Sequence, residues 1–158
     1  MSSSCNRKAA ERAELEDFLT TVFNTENPKN RRFSQVMEFE EDAIILTSVT
    51  TLGNGAETTV KWRLPYKEID LNSVKEEAGF GEVTIFSRAR KKKFLREVIR
   101  GGQSGSENTH KVEIPIFLGD NKASHNETLA IAAKLSRYLE LRGVKPFDLG
   151  LEEESAGN

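Results

Sequence analysis

Strand-like segments between residues 33 and 64 constrain the fold of this chain more than any other feature of its sequence. Three segments have the composition of strands: residues 33–39, 43–52 and 58–64. In the first, Phe33, Gln35, Met37 and Phe39 alternate with Ser34, Val36 and Glu38, which is the period of a strand with one buried face. An acidic turn at residues 40–42 separates the first two segments, and the Asn54-Gly55 pair favours a tight hairpin turn between the second and third. Two consecutive hairpins predict an antiparallel meander.

An amphipathic helix is predicted near the N-terminus. Its apolar residues recur at spacings of three and four: Leu15, Phe18, Leu19, Val22 and Phe23. A run of turn formers that includes Pro28 predicts the end of this helix near Asn24. The stripe favours packing against the chain's own sheet, and the alternative is a helix that binds a partner.

Two further strands are predicted in the second half of the chain, within residues 79–87 and 110–120. In the later one Pro115 indicates an edge position or a bulge, because proline cannot donate a hydrogen bond to a neighbouring strand. Residues 66–79 fit either a short strand or a helical turn, and residues 101–109 have the composition of a flexible polar loop.

A second amphipathic helix is predicted close to the C-terminus. Ser124 followed three residues later by Glu127 fits a capping box, which marks a helix start. The apolar stripe consists of Ile131, Leu135, Tyr138 and Leu139. Gly143 is a natural stop.

A basic block at residues 88–100 holds seven Lys or Arg residues against one Glu. A helix from about Lys91 would place the apolar residues of the block on one stripe and end at Gly101 and Gly102. A strand through residues 88–93 would have no apolar face. We therefore favour the helix and keep the strand as the alternative, with the charges exposed in both.

Length and composition disfavour several classes of protein. A chain of 158 residues suits a single domain. Its apolar runs are far shorter than the roughly 20 residues that span a bilayer, and the N-terminus lacks the apolar core of a secretory signal. Cys5 is the only cysteine, which excludes an intramolecular disulfide. We expect a cytoplasmic protein without a transmembrane segment.

No motif indicates catalysis. The two histidines, His110 and His125, lack the paired spacing of a helical zinc site. The glycine-rich residues 101–106 lack the Gly-Lys-Ser/Thr ending of a phosphate-binding loop. The sequence therefore predicts a protein that is not an enzyme, with no catalytic residues, no metal site and no cofactor.

Three segments carry a resemblance to a known fold: RLPYKEID (residues 63–70), GFGEVTI (79–85), and VEIPIF (112–117) followed by NETLAIAAKLSRYLE (126–140). They resemble the pleckstrin-homology-like superfold, in particular bacterial PH-like and GRAM-type domains. The resemblance covers residues 33–141 and implies an α+β fold. In it, an antiparallel meander forms a partly open barrel, closed by the C-terminal amphipathic helix, and the N-terminal helix is an addition.

The domain division that follows has three parts: a flexible N-terminus (1–8), a single PH-like domain with an N-terminal helix (9–148) and a disordered acidic tail (149–158).

The resemblance also bears on lipid binding. PH domains that bind phosphoinositides carry Lys and Arg in the turn between their first two strands, whereas this chain has four acids within residues 38–42. The lipid pocket of those domains is therefore not expected here.

The basic residues predict a contact surface for an anionic partner, comprising Arg88, Arg90, Lys91, Lys92, Lys93, Lys61 and Arg63. Nucleic acid is disfavoured as that partner, because the net charge is -2 and the rest of the chain is therefore acidic. We expect a non-enzymatic binding or scaffolding module that contacts an anionic membrane surface or an acidic protein. The alternative is an intracellular assembly or regulatory domain that binds a protein through its N-terminal helix or a strand edge. The oligomeric state does not follow from the sequence.

Overall fold

The computed structural model describes residues 2–26, 32–76 and 78–146 and shows an α+β fold. Its helices and strands are α1 (Ser2–Phe23), β1 (Thr25–Glu26), β2 (Phe33–Phe39), β3 (Ala43–Thr51), β4 (Glu57–Pro65), α2 (Leu71–Glu76), β5 (Glu82–Phe86), β6 (Phe94–Arg100), β7 (Gln103–Thr109), β8 (Lys111–Pro115), β9 (Phe117–Leu118), β10 (Asn121–Lys122) and α3 (His125–Leu141). Single turns of 3-10 helix lie at Tyr66–Glu68 and Arg88–Arg90.

The main sheet has six antiparallel strands in the order β1-β2-β3-β4-β6-β7, of which β1 is only two residues long. The acidic turn joins β2 to β3, with Phe39 opposite Ile44. The turn between β3 and β4 contains Gly55, whose φ of 85° is a conformation that glycine adopts without strain. Both hairpins predicted from the sequence are confirmed.

β5 leaves the meander and pairs with β8 in a separate two-stranded sheet, so β4 lies directly beside β6. β9 and β10 form a further short pair. Within the described residues the outer strands of the main sheet, β1 and β7, do not pair with each other, and the sheet is not closed into a barrel. The predicted α+β class with an antiparallel sheet is confirmed at this level.

The core lies between one face of the main sheet, the β5–β8 pair and the helices. Its largest fully buried side chains are Tyr138, Phe23, Phe94, Leu19, Met37, Ile44, Leu64, Ile69, Ile85, Ile114, Ile116 and Leu135. α1 and α3 thus both contribute apolar stripes, as predicted. The capping box at the start of α3 is present, and α3 is followed by Gly143 with a φ of 91°.

The helix predicted from about Lys91 is wrong, because residues Phe94–Arg100 form strand β6. Phe94 is fully buried, and pairing along the whole strand holds the segment extended, because every residue of β6 pairs with β7. Gly101 and Gly102, expected to stop a helix, have φ values of 56° and 80° and form a two-residue hairpin turn. The flexible loop predicted for residues 101–109 is likewise wrong, since Gln103–Thr109 is strand β7.

The ambiguous segment at residues 66–79 has a mixed structure. A 3-10 turn at Tyr66–Glu68 is followed by a single bridge between Ile69 and Ser87 and then by the short helix α2.

α1 begins at Ser2 and ends at Phe23, so its end agrees with the prediction. The predicted acidic tail, residues 149–158, lies outside the described residues. No described helix combines the length and apolarity that crossing a membrane requires.

Candidate anion-binding cleft

A cleft of about 840 Å³ opens at the end of the main sheet where β4 finishes. Its walls come from the β2–β3 turn, the end of β4, the two 3-10 turns and the segment after α3. The lining residues are Glu41, Asp42, Arg63, Pro65, Tyr66, Lys67, Arg88, Arg142, Gly143, Val144 and Lys145. Five of these are basic and two are acidic, so the lining has an excess of positive charge although the whole chain is acidic.

Arg142 is well enclosed for a charged residue of the cleft, with a side chain only 11% exposed. Its Nε–H donates to the Tyr138 hydroxyl at 2.9 Å, and that hydroxyl donates to Glu16 of α1 at 2.8 Å. The guanidinium carbon also lies 5.1 Å from the centre of the Tyr66 ring and 5.7 Å from that of Tyr138, which are cation–π distances. Two aromatic rings and one hydroxyl therefore fix the orientation of this cation.

The terminal nitrogens of Arg142 remain available to a ligand. Nη2 is 3.8 Å from a Glu16 oxygen, too far for a hydrogen bond, and Nη1 makes none with the described residues. Every buried side-chain nitrogen or oxygen there has a partner. These two atoms are therefore not fully enclosed, although Nη2 is ion-paired with Glu16, and Arg142 lines the cleft.

This environment shifts the pKa values of Arg142, Tyr66 and Tyr138. Burial opposes the charge of Arg142, but the hydrogen bond with Tyr138 and the electrostatic influence of Tyr66, Tyr138 and Glu16 outweigh it and raise the pKa of Arg142. Burial also raises the pKa of both Tyr66 and Tyr138, so both phenols stay neutral hydrogen-bonding groups. The cleft thus keeps a permanent positive charge beside two neutral hydroxyls.

Two of the residues predicted to contact an anionic partner meet at the cleft. Arg63 lies at the end of β4, where its Nη2 is 2.7 Å from Asp42 and its Nη1 is 3.9 Å from Glu40. Arg88 reaches across to the segment after α3, donating from Nη1 to the carbonyl of Lys145 at 3.0 Å. Residues far apart in the sequence therefore share one wall.

The other residues of the predicted contact surface do not line the cleft. The guanidinium carbon of Arg90 sits 3.4 Å above the Phe86 ring. The exposed lysines Lys91, Lys92 and Lys93, called here the lysine run, directly precede β6, and they form no ion pair with the described residues. They leave the sheet at the cleft end, because Leu95 of β6 is paired with Arg63. Lys61 is exposed on the opposite face of the sheet from the core and is not a lining residue.

Three basic residues of the cleft were not predicted from the sequence: Lys67, Arg142 and Lys145. Arg142 caps the C-terminal end of α3 and follows Tyr138 by four residues, a spacing at which two side chains meet. That spacing was the available signal, but nothing in the sequence shows that Glu16 of α1 completes the group. Lys67 and Lys145 join the site only through the fold.

Comparisons with protein-family models, with curated proteins and with solved structures gave no match. Among the described residues, no three His, Cys, Asp or Glu side chains are grouped so that they could hold a metal ion. We therefore infer the role of the cleft from the residues that line it.

Proposed function

We propose that this chain is a non-enzymatic, cytoplasmic binding module whose cleft holds an anionic group of its partner. The observation that carries the proposal is the convergence of five basic side chains on one cleft, one of them the nearly enclosed Arg142. Arginine presents a planar fork of donors that matches a carboxylate or a phosphate. Held by Tyr138 and Tyr66, the Arg142 fork loses little side-chain freedom when it binds.

The partner we favour is an anionic membrane surface. The lysine run lies at the same end of the sheet as the cleft, and each lysine near anionic lipid contributes about 1 kcal/mol. Three lysines together would add about 3 kcal/mol to whatever the cleft binds. The acidic wall formed by Glu41 and Asp42 would repel a flat anionic surface, so a headgroup must enter the cleft beside Arg142 rather than lie across its mouth.

Flotation of the protein with lipid vesicles at low salt tests this proposal. We expect binding to vesicles that contain phosphatidylserine, none to neutral phosphatidylcholine vesicles, and strongly reduced binding when Lys91, Lys92 and Lys93 are all changed to Glu. A wild-type protein that ignores phosphatidylserine vesicles would remove the membrane partner. If the same protein is retained on immobilised poly-glutamate, an acidic protein takes its place.

We also propose that the fold is related to the pleckstrin-homology-like superfold. Consecutive antiparallel strands followed by a capped C-terminal helix that packs on them support the relationship. The open edges of the main sheet and the separate β5–β8 pair are departures from a closed barrel. An experimental structure would test the proposal: the same strand order with α3 packed on the sheet supports the relationship, and a different strand order contradicts it.

A second candidate function is protein assembly through α1. Residues 5–10 of this helix are all exposed, and the next residue, Glu11, accepts two hydrogen bonds from Arg137 of α3 at 2.8 and 3.0 Å. A helix longer than its packing surface leaves a projecting half that a partner can bind. Deletion of residues 2–9 would abolish such an interaction and leave vesicle binding unchanged.

A further inference from the structure

Strand β7 forms an open edge of the main sheet. All seven of its residues pair with β6, and within the described residues no strand lies on its other side. Residues 103–108 are exposed. An edge of this kind presents unpaired backbone donors and acceptors to whatever approaches it.

The hairpin turn determines which backbone groups point outwards. Because the turn has two residues, Arg100 and Gln103 form a hydrogen-bonded pair, and pairs of this kind recur at every second residue. Gln103, Gly105, Glu107 and Thr109 therefore bond to β6. The N–H and C=O groups of Ser104, Ser106 and Asn108 point away from the sheet.

The features that normally block an edge are missing from β7. The strand contains no proline, lysine or arginine, and its register with β6 runs without a bulge. Its only charge, Glu107, lies 3.2 Å from Arg96 of β6 and is thereby partly neutralised. Apart from that pair the strand is uncharged, and its other residues are polar side chains and one glycine.

We propose that β7 is a dimerisation edge that pairs in antiparallel orientation with β7 of a second copy, about a two-fold axis at Ser106. In this register all residues from Gln103 to Thr109 find a partner, and Ser104 faces Asn108 of the other copy. The three outward residues of each strand then exchange about six hydrogen bonds. An axis one residue further along would place the two Glu107 carboxylates opposite each other, which is unfavourable.

The strand is self-complementary in this register, and that is the reason for choosing a second copy as the occupant. Glu107 faces Gly105 of the other copy, so no like charges meet. The pairing of two short polar strands buries less than the roughly 1,000 Å² of a stable interface, so the dimer is weak and concentration-dependent. It goes beyond the proposed anion binding and does not depend on it, although two clefts in one particle would strengthen binding to a surface.

Sedimentation velocity from about 10 μM to about 1 mM tests this proposal. Ser106→Pro removes an outward N–H without removing a bond to β6, and Ser106→Lys adds the charge that open edges usually carry. We expect both to weaken self-association at least about tenfold, whereas Ser106→Thr dimerises like the wild type. Circular dichroism melting of each variant shows whether the fold is retained.

Hydrogen exchange gives a readout that loss of folding does not imitate. The amides of Ser104, Ser106 and Asn108 should exchange quickly in dilute protein and become protected at high concentration, while those of Gly105 and Glu107 are protected throughout. A wild-type protein that stays monomeric over the whole range overturns the proposal. So does a dimer that persists in Ser106→Lys, because the copies would then meet at another surface.

Discussion

Replacing Tyr138 by Phe removes one hydroxyl and leaves the ring that packs 4.5 Å from Phe39 in place. The hydroxyl links α1 to the end of α3, because it donates to Glu16 and accepts from Arg142. Both partners are charged, so both hydrogen bonds are of the stronger, charge-assisted kind. The substitution therefore measures how firmly the cleft's enclosed cation is held.

The expected cost follows from the exposure of the two partners. A hydrogen bond to a charged group contributes about 1.5–3 kcal/mol. Glu16, 38% exposed, can replace the lost bond with water, whereas Arg142, 11% exposed, leaves its Nε without a partner. We expect the free energy of unfolding to fall by about 2–3 kcal/mol, and the melting temperature by about 5–10 °C for a domain of this size.

Urea denaturation of the wild type and the variant provides the measurement, with Tyr66→Phe as the matched control. The Tyr66 hydroxyl donates to the neutral carbonyl of Glu40 at 2.8 Å, so its removal should cost only about 1 kcal/mol. Equal losses in the two variants, or a negligible loss in Tyr138→Phe, would refute the idea that Tyr138 secures Arg142.

Three further predictions concern the scaffold. Gly81→Ala should destabilise strongly, because a Cβ there lies 2.7 Å from another side chain, whereas Gly119→Ala, with a similar positive φ and open space, should cost only about 1 kcal/mol in a thermal melt. Ser124→Ala should lower the free energy of unfolding by about 1 kcal/mol through loss of the capping box, and Ser124→Asn should restore most of it. Burial and then Glu113 raise the pKa of Glu82, so the folded state holds this proton more tightly than the unfolded chain and loses stability as pH rises through that range. Glu82→Gln should therefore stabilise at neutral pH but not at acidic pH in urea titrations, and an unchanged pH dependence would contradict the assignment.

Local patterns were sufficient to predict the first two hairpins and α3. The alternation before the acidic turn, the Asn54-Gly55 pair and the Ser124 capping box all act within a few residues, and the fold does not override them. The β6–β7 hairpin could not be predicted in that way. β7 has no apolar residue at all, so its extended structure comes from pairing with β6. In β6, Arg96 occupies the same face as the buried Phe94, with its guanidinium carbon 5.7 Å from the centre of the Trp62 ring.

The cleft was only partly visible in the sequence for a related reason. The basic block indicated Arg88 and the strand pattern indicated Arg63, but both residues line one cleft only because the fold brings the end of β4 close to the second 3-10 turn. In the sequence, Arg142 resembled an ordinary basic residue at the C-terminal end of a helix. Its enclosure depends on α1 and on Tyr66, neither of which is close to it in sequence.

Binding of two matched double variants to phosphatidylserine vesicles at low salt tests the central claim most directly. Lys67→Glu with Lys145→Glu changes two exposed residues of the cleft lining, whereas Lys8→Glu with Lys61→Glu changes two exposed residues outside it by the same charge. We predict that the first pair abolishes binding and that the second retains most of it. Equal loss in both would show that net charge, and not the cleft, controls binding, and would contradict this account.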